Sequence, residues 1–225
     1  MNKSIPTNER LFMAIVGPSG CGKSHLIEQF FVHKIFEPIF DKVYFFYQHY
    51  QRGLNDRLPK LVNVEFIAGV NYELIDSLPN DGTKYLLIFD DSCDEICSSK
   101  QFQKIATAGR HRNLSVIYIK HNLFHQGSLG RDIELQNTHI VLFKSPRDVQ
   151  QVRILSRQLG LGSELEQWYK LAISKPYGHL MIDLHPKTVD CLRFSSGFEP
   201  TRFHLPKSQS RVTFVNDEYT KLLYS

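Results

Sequence analysis

Gly17-Pro18-Ser19-Gly20-Cys21-Gly22-Lys23-Ser24 fits the pattern G-x-x-x-x-G-K-[ST], a loop that cradles phosphate groups. Its flanks suit that use. Phe12 to Val16 is an apolar run that reads as a strand. His25 to Phe36 reads as a helix, with Leu26, Ile27, Phe30, Phe31 and Ile35 at three- and four-residue spacing. Glycines at 17, 20 and 22 admit positive backbone angles and carry no side chain, so successive N–H groups can turn inward around an anion. The following helix adds the partial positive charge of its N-terminus. Lys23 would reach the β- and γ-phosphates and the Ser24 hydroxyl would bind Mg2+. The nucleotide-contacting stretch is expected to comprise Gly17, Pro18, Ser19, Gly20, Cys21, Gly22, Lys23, Ser24 and His25, with ATP and Mg2+ as its ligands.

Downstream, Lys42 to Tyr47 is a second strand candidate, and Gln48 to Asn63, polar and containing Gly53 and Pro59, reads as mostly loop. Val64 to Ile67 reads as a short strand and Tyr72 to Leu78 as a helical turn closed by Pro79. Tyr85-Leu86-Leu87-Ile88-Phe89-Asp90-Asp91 is a continuous apolar run ending in two acids, as a buried parallel strand would be. This is a Walker B pattern. Asp90 would hold Mg2+, and Asp91 stands where ATPases of the additional-strand type orient or deprotonate the attacking water.

Ser98 to Gly109 reads as a helix and Leu114 to Ile119 as another core strand. His121 and Asn122 follow that strand, where a polar residue can sense the γ-phosphate. Thr138 to Phe143 and His179 to Leu184 read as further strands, with helices at Arg147 to Leu159 and Glu164 to Ile173 between them. Strands alternating with helices predict a three-layer α/β domain with a mainly parallel sheet. Ligands of such sheets bind outside the carboxyl ends of the strands, which gathers Gly17 to Ser24, Asp90, Asp91, His121 and Asn122 on one rim. The expected organisation is an N-terminal arm at 1–10, an ATPase domain at 11–185 and a C-terminal extension at 186–225.

Composition narrows the setting. A hydrophobic fraction of 42% over 225 residues supports a sizeable core. The apolar runs are too short to span a bilayer, and Met1 to Arg10 lacks the character of a signal peptide, so an intracellular location is expected. Cys21, Cys93, Cys97 and Cys191 form no C-x-x-C pair and read as reduced thiols. Residues 1–99 carry 9 Lys+Arg and 13 Asp+Glu, a net −4, whereas residues 100–225 carry 18 and 10, a net +8. A basic half beside a nucleotide site suggests a polyanionic partner.

His121-Asn122-Leu123-Phe124-His125-Gln126-Gly127, the pair Arg131-Asp132, and Asn137-Thr138-His139-Ile140-Val141-Leu142-Phe143-Lys144-Ser145-Pro146-Arg147-Asp148 resemble the packaging ATPases of Maverick/Polinton elements and adintoviruses. Those group with poxvirus-type DNA packaging ATPases in the FtsK–HerA branch of P-loop NTPases. The resemblance covers about Leu11 to Gly160. Relatives often carry Gln where this chain has His121. The resemblance implies an ATP-driven motor, built as a homo-oligomeric ring, that pumps double-stranded DNA into a preformed capsid. Its partners would be DNA and capsid or portal vertex proteins, met in the host nucleus or cytoplasm during virion assembly. Ring ATPases also supply an arginine in trans, for which Arg110, Arg112 and Arg131 are candidates. A helicase-like ATPase without a capsid and a nucleotide-binding scaffold are the competing readings.

Overall fold

A computed structural model describes residues 5–6, 10–90, 93–124, 128–146, 149–197 and 201–203. The strands are β1 (Ile5–Pro6), β2 (Phe12–Val16), β3 (Phe36–Glu37), β4 (Lys42–Tyr47), β5 (Val64–Ala68), β6 (Tyr85–Asp90), β7 (Leu114–Lys120), β8 (His139–Phe143), β9 (His179–Asp183), β10 (Phe194–Ser196) and β11 (Thr201–Phe203). The helices are α1 (Lys23–Val32), α2 (Arg52–Arg57), α3 (Tyr72–Ser77), α4 (Cys93–Cys97), α5 (Lys100–Ala108), α6 (Ser128–Glu134), α7 (Val149–Gln158) and α8 (Glu164–Ala172).

Among the described residues, nine strands form one sheet in the order β11-β10-β9-β8-β2-β7-β6-β4-β5. The pairs from β8 through β5 are parallel; β9, β10 and β11 add antiparallel strands at one edge. The central strands are buried on both faces, so they read as unbroken apolar runs rather than alternating ones. Their side chains still alternate in space. Phe12, Ala14 and Val16 join a core with Ile105, Ile133, Val152 and Trp168 from α5 to α8. Met13 and Ile15 point the other way, into a core with Leu26, Ile27 and Phe30 of α1 and Leu54 of α2. This is the expected three-layer α/β fold with a mainly parallel sheet.

Several boundaries differ from the sequence reading. Helix α1 ends at Val32, because Lys34 takes a left-handed φ of 49° and turns Phe36–Glu37 out to pair with Ile5–Pro6. The stretch read as loop after Tyr47 contains α2 and a 3-10 turn at Leu58–Lys60. Its buried apolar residues are Leu54, Leu58 and Val62, set in a run dominated by polar residues, Gly53 and Pro59. Helix α6 was not anticipated; Gly130 and Ile133 are its buried residues. Residues expected to form a C-terminal extension contribute β10 and β11 to the same sheet, with the Phe194 and Trp168 rings 4.7 Å apart.

At the amino end of the strands, Arg10 fastens the chain start. Its guanidinium donates to Leu114 O at 3.1 Å, to Ile105 O at 2.6 Å and to Ala106 O. Among the described residues, no helix is long and apolar enough to cross a membrane.

Candidate nucleotide site

The site is assembled on the carboxyl rim of the parallel strands. Leaving β2, the Gly17 N–H donates to Lys120 O at 3.1 Å, so the loop begins tied to the end of β7. A Cβ on Gly17 would fall 2.7 Å from both Cys21 Sγ and Phe143 Cβ, closer than real side chains come, so only glycine fits this turn. Gly22 caps α1 with φ 104°, a conformation that an L side chain rarely adopts. Lys23 is 8% exposed, and its Nζ donates to Gly17 O at 2.7 Å and Pro18 O at 2.8 Å. The loop therefore holds the ammonium by its own carbonyls, in the turn where phosphate oxygens would be met.

Two strands away, β6 delivers Asp90, 6% exposed. Its Oδ2 accepts from Ser24 Oγ at 3.4 Å and from Gln51 Nε2 at 3.0 Å. The opening bounded by these groups has a volume of about 390 Å³, and His25, His49 and His121 also line it. Asn122 is exposed beside His121 and does not line that volume.

The segment carrying His49 and Gln51 is anchored from below. Glu28 of α1 is buried, and Arg57 of α2 grips its carboxylate with two nitrogens, Nη2 to Oε2 at 2.9 Å. The hydrogen bond from Arg57, opposed by partial burial, holds the Glu28 carboxyl below its usual range. His25 Nδ1 lies 3.6 Å from Glu28 Oε2. Burial pushes the Cys21 thiol upward, against the nearby Lys23 charge, so the loop cysteine stays protonated and unreactive.

The structure brings together Gly17 to Ser24, His25, Asp90 and His121. Asp91, His125 to Gly127, Arg147 and Asp148 lie outside the described residues, as does the side chain of Arg110. Arg112 lies at the amino end of β7, on the opposite rim. Its guanidinium donates to Ile75 O, Asp76 O and Leu78 O at 2.8 to 3.1 Å and lies 3.6 Å from Asp76 Oδ1. In this chain it therefore closes the end of α3. Arg131 is exposed on α6. The sequence reading missed His49 and Gln51. The signal was available: they follow β4, and residues just past a central parallel strand belong to the same rim.

No cluster of three His, Cys, Asp or Glu side chains suited to a metal occurs among the described residues. Mg2+ does not need one, since it keeps several waters and uses one or two protein oxygens plus phosphates. The Ser24 hydroxyl beside the Asp90 carboxylate fits that donor set.

A glycine loop running into α1, an acid at the end of β6, and one strand, β7, inserted between the two define a P-loop NTPase of the additional-strand type. The chain belongs to the poxvirus A32 protein family, whose model matches residues 3–160. Its fold is shared by the genome packaging NTPase B204 of Sulfolobus turreted icosahedral virus 2. The B204 complex with sulfate aligns at 17% identity and TM-score 0.54, over 87% of this chain and 99% of B204. The B204 complex with AMPPCP aligns at 16% identity and TM-score 0.54, over 83% and 96%. No curated protein matches this chain.

Proposed function

We propose that this protein is an ATP-hydrolysing motor that drives double-stranded viral DNA into a preformed capsid, working as a homo-oligomeric ring against capsid or portal vertex proteins. Membership of the A32 family and the B204 fold support a viral genome packaging ATPase. The observation that carries the chemistry is the approach of Ser24 Oγ to Asp90 Oδ2, 3.4 Å, beside the glycine loop. The motif blocks of His121 to Asp148 favour the Maverick/Polinton and adintovirus branch, and the basic residues 100–225 suit a DNA partner. The ring would act where virions assemble, in the host nucleus or cytoplasm.

In this reading the loop amides and Lys23 bind the triphosphate. Lys23 exchanges the Gly17 and Pro18 carbonyls for phosphate oxygens, keeping its charge compensated throughout. Ser24 and Asp90 would hold Mg2+, which would supply charge compensation to the triphosphate. Asp91, next in sequence to Asp90, takes the role of orienting and deprotonating the attacking water. Gln51, bonded to Asp90, fixes which oxygen of that carboxylate faces Ser24.

The test is DNA-stimulated ATP hydrolysis by the assembled protein. Lys23→Ala is expected to abolish nucleotide binding, whereas Asp91→Asn should bind ATP and lose turnover. Normal turnover by Asp91→Asn would remove the base assignment. DNA binding should weaken steeply as salt rises, because phosphate contacts release counterions; absent or salt-insensitive binding would remove the motor.

A further inference from the structure

We propose that Tyr177 is the platform on which the base of the bound nucleotide stacks; the inference rests on the nucleotide reading above. The sheet order sets the direction in which a nucleotide must lie. Strands β7 and β6 flank β2 on one side, β8 and β9 on the other. Ser24 and Asp90 fix the terminal phosphates on the β6 side of the loop. The nucleoside end therefore leaves the loop toward β8 and β9.

Tyr177 stands on that flank, in the turn between α8 and β9. A Cβ at residue 22 would lie 3.0 Å from its Cδ1 and 3.7 Å from its Cβ, so the tyrosine abuts the backbone that caps α1. Yet its side chain is not packed away: the residue is 69% exposed, in a chain whose other tyrosines include buried Tyr85, Tyr118 and Tyr169. A large apolar ring, open to solvent and seated on a phosphate loop, presents a π-face where a base would arrive.

The turn holds the ring in place. Tyr177 has φ 57°, a left-handed conformation that a bulky residue adopts only when its surroundings impose it, and such residues cluster at ligand clamps. Its neighbour Gly178 admits no Cβ, because the carbonyls of Ala172 and Lys175 occupy that space, and its N–H donates to Lys175 O at 3.0 Å. Residue 179, opposite Phe143 in the β8–β9 register, begins the strand directly after it, with the two rings 5.2 Å apart. The backbone just after Tyr177 thus enters the sheet, and the backbone before it is tied to Gly178 through the turn.

Base–aromatic stacking tolerates every base, since each has a π-face. Tyr177 would strengthen nucleotide binding without selecting adenine over guanine. Stacking of this kind is worth about 5- to 150-fold in affinity.

The test compares a nonhydrolysable ATP analogue with inorganic tripolyphosphate, which lacks a base, by calorimetric titration of the full chain. Wild type, Tyr177→Ala and Tyr177→Phe are measured, with circular dichroism to establish folding. Tyr177→Ala is expected to lose about 5- to 150-fold in affinity for the analogue and nothing for tripolyphosphate, while Tyr177→Phe keeps both. Equal loss for the two ligands would make Tyr177 a prop for the loop, and tighter binding of both would make it a cover. Either result, or an unchanged Tyr177→Ala, overturns the proposal. Wild type that binds neither ligand removes the nucleotide reading itself, an outcome distinct from the others.

Discussion

Glu134→Gln tests how dry the interior is at the end of β7. Lys120 is the last residue of that strand and 1% exposed; its Nζ lies 2.5 Å from Glu134 Oε1 on α6, and 5.9 Å from the Tyr118 ring centroid. Glu134 itself is 14% exposed at its side chain. Removing the carboxylate charge strands an ammonium in a site that water barely reaches. Breaking a buried pair in this way costs about 3–5 kcal/mol. Glutamine keeps one acceptor oxygen, so the lower end, about 3 kcal/mol, applies. For a chain of this length that corresponds to a fall of about 6–12 °C in Tm. The double variant Lys120→Met, Glu134→Leu should recover most of the loss, because an apolar pair of similar volume removes the charge as well as its partner. Guanidinium denaturation followed by fluorescence of Trp168, the single tryptophan and 9% exposed, measures all of these. A Glu134→Gln loss below about 0.5 kcal/mol, the level of an exposed ion pair, would refute the desolvation argument.

Two further outcomes follow from residues around the site. Arg112→Ala should cost about 1–3 kcal/mol through carbonyls left without their donor, while turnover per folded molecule stays at the wild-type rate; a hundredfold fall in turnover at unchanged Tm would instead make Arg112 the trans arginine. The folded Glu28 carboxyl titrates below its unfolded value, so its contribution to stability is present above the ordinary glutamate range near pH 4.3 and is lost as pH falls through the lower folded value. Arg57→Gln should therefore flatten the acid limb of a stability-against-pH curve, and superimposable limbs would show that the pair does not shift Glu28.

The central layer was legible because burial on both faces leaves few places for polar residues. Phe12 to Val16 and Tyr85 to Asp90 announce themselves as runs, and the glycine loop and Asp90 follow from where such strands end. Short elements were not legible. Helix α2 buries Leu54 alone, and the ion pair of Arg57 with Glu28, between residues 29 positions apart, has no local signature. The carbonyl contacts of Arg112 were hidden for a related reason. An arginine in a basic run looks available for phosphate, yet the three carbonyls it engages lie more than 30 residues earlier in the chain. Tyr177 was invisible because only the fold sets it against Gly22.

The two rims of the sheet differ in what an alteration there can change. Arg10 and Arg112 staple backbone carbonyls together at one end of the parallel strands; the glycine loop, Ser24 and Asp90 occupy the other. Such a division lets a lineage adjust heat tolerance by rewriting the stapled end, at little risk to the chemistry a full strand-length away.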